Sequence, residues 1–140
     1  MKNPLITVLG ILATTASVFG HCQIPCGIYG DERKFGDLLE HTETIRKSMD
    51  EIIRISSEEP TIPNNNQLVR WVNNKEAHAQ KIQTEIGEYF LAQRIKPGEE
   101  AYAEKLELLH GIIVSAMKCK QTVDIEHVDA LKQRIGDFQK

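Results

Sequence analysis

Residues 35–53 read FGDLLEHTETIRKSMDEII, and this stretch decides the fold. Its apolar residues recur at steps of three and four, which is the period of a helix that buries one face. The pattern predicts a first helix from about Asp31 to Ser57. Glu59-Pro60 and Ile62-Pro63 follow and are expected to end it, because proline lacks a backbone N–H and restricts the residue before it.

The remainder of the chain repeats the helical pattern three times. A second helix is predicted from about Asn66 to Ile95, and a third from about Glu99 to Lys120. Asp124 is a suitable N-cap for a fourth helix. The stripe expected on the second helix consists of Val69, Val72, Ala79, Ile82, Ile86, Tyr89 and Phe90. No alternation typical of strands persists, so the sequence predicts an all-α protein, an up-down-up-down four-helix bundle.

Residues 1–20 have the composition of a secretory signal peptide. Lys2 supplies a positive start, residues 5–19 are apolar, and Gly20 is a small residue suited to cleavage. The apolar run is shorter than the roughly 20 residues of a membrane span. We expect cleavage between Gly20 and His21, which leaves 21–140 as one exported domain in the periplasm or outside the cell. A retained membrane anchor is the alternative.

Charge and cysteine content restrict the possible partners. The chain carries a net charge of −3 at pH 7. It has no basic cluster, so nucleic acid is not an expected partner, and neither is a membrane after signal cleavage.

The cysteines have two expected fates. An oxidising compartment permits a Cys22–Cys26 disulfide. Cys119, the third cysteine, is expected to pack in the interior.

The segment 21–29, HCQIPCGIY, concentrates metal donors at the expected mature N-terminus. Cleavage would give His21 a free amine beside its imidazole, and Cys22 and Cys26 would add two thiolates. The amine, the Cys22 amide nitrogen and the Cys22 sulfur close small chelate rings, and Pro25 can reverse the chain so that Cys26 completes them. Soft thiolates with anionic nitrogen favour a square-planar ion such as Ni(II), whereas zinc prefers tetrahedral sites. The residues alone predict a redox-active nickel or copper hook, without identifying its substrate.

The string His-Cys-x-x-Pro-Cys-Gly-x-Tyr at 21–29 resembles the nickel hook of nickel-containing superoxide dismutases. The resemblance implies a four-helix bundle subunit, assembly as a homohexamer and one nickel ion per subunit. It implies an antioxidant oxidoreductase that converts two superoxide anions to dioxygen and hydrogen peroxide through a Ni(II)/Ni(III) cycle.

The same resemblance assigns roles to individual residues of the hook. The metal ligands would be His21, Cys22 and Cys26. Tyr29 would lie over the open face of the metal and act on the substrate anion. The residues that shape the hook would be Pro25 and Gly27.

Some positions differ from the family pattern. Gln23 stands where many members have aspartate, which removes one negative charge. The family orients its axial histidine with a first-helix carboxylate and a basic residue. Asp37 is the expected carboxylate, with Glu40 as the next choice, and His78 is a candidate for the basic partner.

Other histidines receive ordinary interpretations. Glu107-x-x-His110 resembles half of a di-iron site, but no second copy follows, so His110 is expected to be solvated. His41 and His127 are expected at the surface. The alternative function is a non-enzymatic exported helical protein whose N-terminus binds metal or closes as a disulfide.

Overall fold

The computed structural model describes residues 30–140, and these residues are almost entirely helical. A π-helical segment, Ile86–Arg94, continues the second helix without a break. Within 30–140 there is no strand, so the all-α prediction is confirmed. The four α-helices are α1 (Glu32–Ser56), α2 (Ile62–Glu85), α3 (Tyr102–Gln121) and α4 (Ile125–Gln139).

Contacts between neighbouring helices show that each runs antiparallel to the next. In each pair given below, the residue number rises along one helix while it falls along the other. Between α1 and α2, His41 contacts His78 and Ser48 contacts Asn74. Between α1 and α4, Phe35 contacts Phe138 and Glu43 contacts Lys132. Between α2 and α3, Lys75 contacts Cys119 and Gln83 contacts Ile113. The predicted four-helix bundle is therefore confirmed.

The core lies where the apolar stripes of the four helices meet. Ring contacts join Phe35 of α1, Phe90 of the π segment and Phe138 of α4 at one end of the bundle. The fully buried side chains include Leu38, Ile45, Met49, Ile82, Ile86, Tyr89, Phe90, Leu109, Ile112, Leu131 and Ile135.

None of the helices in 30–140 is both long and apolar enough to cross a membrane.

The distal halves of α1 and α2 extend beyond the shorter α3–α4 pair. We call residues 53–72 the projecting arm. The α3 helix ends at the level of Lys75 of α2, so the arm extends past the end of α3. The prediction that Val69 and Val72 belong to the buried stripe is wrong, since their exposed fractions are 59% and 37%. Met117 of α3 is also exposed.

Two helices begin at residues other than those predicted. The α2 helix starts at Ile62 because the Thr61 hydroxyl accepts a hydrogen bond from the Asn64 N–H at 3.2 Å. Pro63 lies in the first turn, where its missing N–H is not needed, so it does not separate the helices as expected. The α3 helix begins three residues late, because Ala101 adopts the left-handed conformation at φ 57°.

A buried lysine fastens α2 to the carboxyl end of α3. Lys75 is only 3% exposed, and its ammonium donates to the carbonyls of Cys119 and Lys120 and to Glu76. The last carbonyls of a helix have no partner within it and attract positive charge. Cys119 is buried as predicted, and burial raises the pKa of its thiol to about 11, so it remains protonated.

Candidate metal centre

The chain enters the bundle at Gly30, immediately after the predicted hook. His21, Cys22, Pro25, Cys26, Gly27 and Tyr29 lie outside the described residues. Gly30 has φ +73°, a left-handed angle that glycine adopts readily. Within 30–140, no three His, Cys, Asp or Glu side chains lie close enough together to hold a metal ion.

Three polar side chains converge where this entering segment meets the bundle. The Tyr89 hydroxyl donates to Asp31 Oδ1 at 2.6 Å. Arg94 donates from Nε to the same oxygen at 2.8 Å and from Nη2 to the Tyr89 hydroxyl at 2.7 Å. Burial raises the pKa of the Tyr89 phenol, and the hydrogen bond to Asp31 contributes to the rise, so the hydroxyl keeps its proton.

The π-helical segment explains how Tyr89 and Arg94 meet. In an α-helix of 3.6 residues per turn, side chains five residues apart point in different directions. The i→i+5 bonding of a π-helix widens the turn and brings such residues toward one side. Sequence periodicity did not indicate this segment, because its apolar residues also fit an α-helical stripe.

A line of polar contacts continues from this point along the junction of α1 and α2. Lys34 and Glu85 form an ion pair at 2.6 Å. Farther along, the Nδ1 atoms of His41 and His78 are 3.2 Å apart. We call this row the polar seam. It comprises Asp31, which precedes α1, and Lys34, Asp37 and His41 of α1, with His78, Glu85, Tyr89 and Arg94 of α2 and the π segment.

The two histidines of the polar seam share a hydrogen bond and favour their neutral forms. Their rings are nearly perpendicular, with centroids 4.9 Å apart. Burial lowers the pKa of His41, and Lys81 lowers it further, against opposing effects of Asp37, Glu40 and Glu85. Burial likewise lowers the pKa of His78, together with Lys81 and His41. A neutral ring can donate to its neighbour while the neighbour accepts.

His41 connects the two residues that were predicted to support the hook, Asp37 and His78. Asp37 and His78 both act on His41, the first by its charge and the second by hydrogen bonding. The prediction of a surface position for His41 is wrong, because it is half-buried between α1 and α2, and His127 of α4 is half-buried as well. The four-residue spacing of Asp37 and His41 on one helix face was the available signal. His110 is exposed, as predicted.

Acid is expected to destabilise the bundle through the His41–His78 pair. Both pKa values lie below the ordinary 6.5, so the unfolded chain binds protons more readily than the folded one. Stability is therefore highest above that pH and falls as the pH drops through and below it. His78→Gln should lose less stability than the unchanged protein between about pH 7.5 and about pH 5.5, where imidazoles titrate.

Urea unfolding at the two pH values measures this effect. His110→Gln makes the same substitution at an exposed position of α3 and serves as the control. Equal acid sensitivity in all three proteins would contradict a role for the histidine pair.

Comparison with known proteins connects this geometry to a chemistry. A search of curated proteins and a search of solved structures each gave no match. A family model described as nickel-containing superoxide dismutase matches residues 15–140, a span that includes both the donor-rich segment 21–29 and the whole bundle. A match over most of the chain, together with the four-helix architecture, establishes that this protein belongs to the nickel-containing superoxide dismutase family.

Proposed function

We propose that this nickel-dependent superoxide dismutase binds its metal at the hook formed by residues 21–29. Family membership makes the protein an oxidoreductase that contains nickel and acts on superoxide. One superoxide loses an electron to become dioxygen, and a second gains that electron and two protons to become hydrogen peroxide. Nickel, when bound, supplies the one-electron chemistry by moving between Ni(II) and Ni(III).

The donor set of the hook fits nickel. His21 brings an amine and an imidazole, and Cys22 and Cys26 bring thiolates, within six consecutive residues. Thiolates select soft transition metals, and nitrogen donors in a square plane suit Ni(II). The observation that carries the proposal is that the family match extends across these donors. The same match argues against the non-enzymatic alternative.

Residues outside the donor set complete the proposed site. Tyr29 acts on the substrate anion, and Pro25 and Gly27 give the hook its shape. Asp37 and His78 orient the His21 imidazole. Because Nδ1 of His78 is engaged by His41, its Nε2 is the nitrogen we assign to the hook. A changed Ni(III) electron paramagnetic resonance (EPR) spectrum in His78→Gln supports this role, and an unchanged spectrum argues against it.

The mature N-terminus provides the primary test. We expect mass spectrometry of the purified protein to show a chain that starts at His21 and carries one nickel ion. A free amine exists on His21 only after cleavage behind Gly20, so a different first residue contradicts the proposal. A Cys22–Cys26 disulfide in the active protein also contradicts it, because bonded sulfurs are not thiolates.

Replacing Tyr29 with phenylalanine separates substrate handling from metal binding. The substitution removes only the hydroxyl, so nickel content should stay at one ion per chain. Activity should fall by about tenfold or more, as expected for the loss of a hydrogen bond to a charged group. Metal analysis with steady-state and pulse-radiolysis kinetics measures both. Loss of nickel would instead assign Tyr29 a structural role.

Export and assembly belong to the same proposal. The signal-like composition of residues 1–20 supports export of the mature enzyme to the periplasm or the outside of the cell. Exposed apolar side chains on the projecting arm offer a surface for contact between subunits, since Ile62 is 86% exposed and Ile53 and Val69 are also uncovered. The homohexamer is the assembly that the family resemblance implies. Cell fractionation tests the location, and native mass spectrometry of the nickel-loaded protein tests the assembly.

A further inference from the structure

We propose that Asp31, Tyr89 and Arg94 form an anchor that positions the nickel hook at its attachment to the bundle. The inference rests on the proposed function, because it assumes that segment 21–29 is the hook. We call these three residues the hook anchor. They are positioning residues, which act on the hook without contacting the metal or the substrate.

The covalent chain places the anchor next to the hook. Asp31 follows Tyr29 by two residues and Cys26 by five. A fully extended chain spans at most about 3.6 Å per residue, so the Cα atom of Cys26 lies within about 18 Å of that of Asp31. The anchor therefore lies on a short tether to the last thiolate of the hook and limits how far that thiolate can move from the bundle.

Asp31 is committed to this contact and not to the helix it precedes. Aspartate before a helix commonly accepts hydrogen bonds from the first backbone N–H groups. Here the side chain makes no capping bond, and the backbone has helical angles of φ −88° and ψ −10°. Its hydrogen bonds and its ion pair go to Tyr89 and Arg94 in the π segment.

The receiving side of the anchor is held from several directions. Tyr89 is 2% exposed, and the cations of Arg94 and Lys34 lie 5.0 Å and 5.3 Å from its ring centroid. Lys34 is itself paired with Glu85. The three-way bonding of Asp31, Tyr89 and Arg94 needs the π segment, a feature that recurs at functional sites.

A fixed attachment matters for a chelate made by a chain terminus. Donor atoms must be held near their productive geometry by the surrounding shell. A hook attached to a mobile base loses more conformational freedom when the metal binds, which weakens binding. The hook anchor restricts that freedom before nickel arrives.

Nickel release from the loaded enzyme tests the anchor. We expect Tyr89→Phe and Asp31→Asn to release nickel to a chelator about tenfold faster than the unchanged protein, because a hydrogen bond to a charged group is worth about one decade of an equilibrium constant. The Ni(III) EPR spectrum should broaden in both variants. In metal-free protein, backbone amides of residues 22–30 should exchange hydrogen faster.

Matched controls separate positioning from general stability. Tyr102→Phe removes a hydroxyl that makes no hydrogen bond to residues 30–140. Asp129→Asn breaks an ion pair with Arg46 that joins α4 to α1 away from the hook anchor. Both controls should keep the unchanged release rate and spectrum.

The outcomes are distinct from those of the proposed function. If the anchor variants lose thermal stability but retain the unchanged release rate, spectrum and amide exchange, the three residues are merely structural and the inference is wrong. If the unchanged protein carries its nickel away from His21, Cys22 and Cys26, the proposed function fails first. Should Tyr89→Phe fold poorly, Asp31→Asn at the surface end of the cluster gives the same readouts.

Discussion

An alanine added before His21 is expected to abolish nickel binding and dismutase activity while the helices stay folded. The addition turns the His21 amine into a peptide amide and leaves every side chain in place. Removal of an outer-shell partner alone commonly costs about 10–100-fold in metal affinity. Loss of a direct ligand should exceed that range, so we expect activity to fall by more than about a hundredfold.

The extended protein separates the terminal nitrogen from everything else in the molecule. Nickel analysis, superoxide consumption and circular dichroism together measure binding, activity and fold. An alanine added after Lys140 lengthens the chain equally at its other end and should change none of them. Nickel binding and activity that survive in the His21 extension would show that the amine is not a ligand.

The helices were predictable because their buried faces repeat along the chain. Phe35, Leu38, Ile45, Met49 and Ile52 of α1 are all buried, as their spacing indicated. Periodicity does not predict burial where a helix extends beyond the helices that pack against it. Val69 and Val72 carry the right spacing, but the helices that would cover them are shorter.

Local conformations without a repeating pattern were also missed. The left-handed Ala101 delays α3, and nothing in an alanine indicates that conformation. The π segment contains the same apolar residues that a continued α-helix would bury. Both the left-handed Ala101 and the π segment depend on how neighbouring helices are connected and packed. The apolar pattern of a single helix carries no information about that packing.

In the candidate site, features formed by neighbours in the sequence were predictable, and contacts between distant residues were not. The proposed donors at 21–29 could be named from the sequence because they are neighbours in it, and their role as ligands stays a prediction. The hook anchor and the His41–His78 pair join residues 58, 63 and 37 positions apart. Their contacts depend on the antiparallel register of α1 and α2, and periodicity gives each helix its face without fixing that register.

Phe90→Ala is expected to cause the largest loss of stability among single substitutions at the hook end of the bundle. The ring is 1% exposed and packs against Phe35, Phe138 and Tyr89, with centroid distances of 5.1, 5.3 and 5.1 Å. Truncation of a buried phenylalanine costs about 3–5 kcal/mol, because contacts are lost and a cavity remains. A domain of ordinary stability has only about 5–15 kcal/mol in total.

Urea unfolding of metal-free protein measures the loss, and Phe90→Leu is the matched variant because it keeps part of the buried volume. Phe90 also lines a cleft of about 290 Å³ beside Asp31 and Arg94. Truncation should therefore enlarge the cleft and loosen the hook anchor, so nickel release should quicken even where the fold persists. A loss below about 1 kcal/mol would mean that the neighbouring side chains collapse into the space, since the cost of a cavity depends on how well its walls relax. In that case the three phenylalanines would not form the rigid base on which the hook anchor depends.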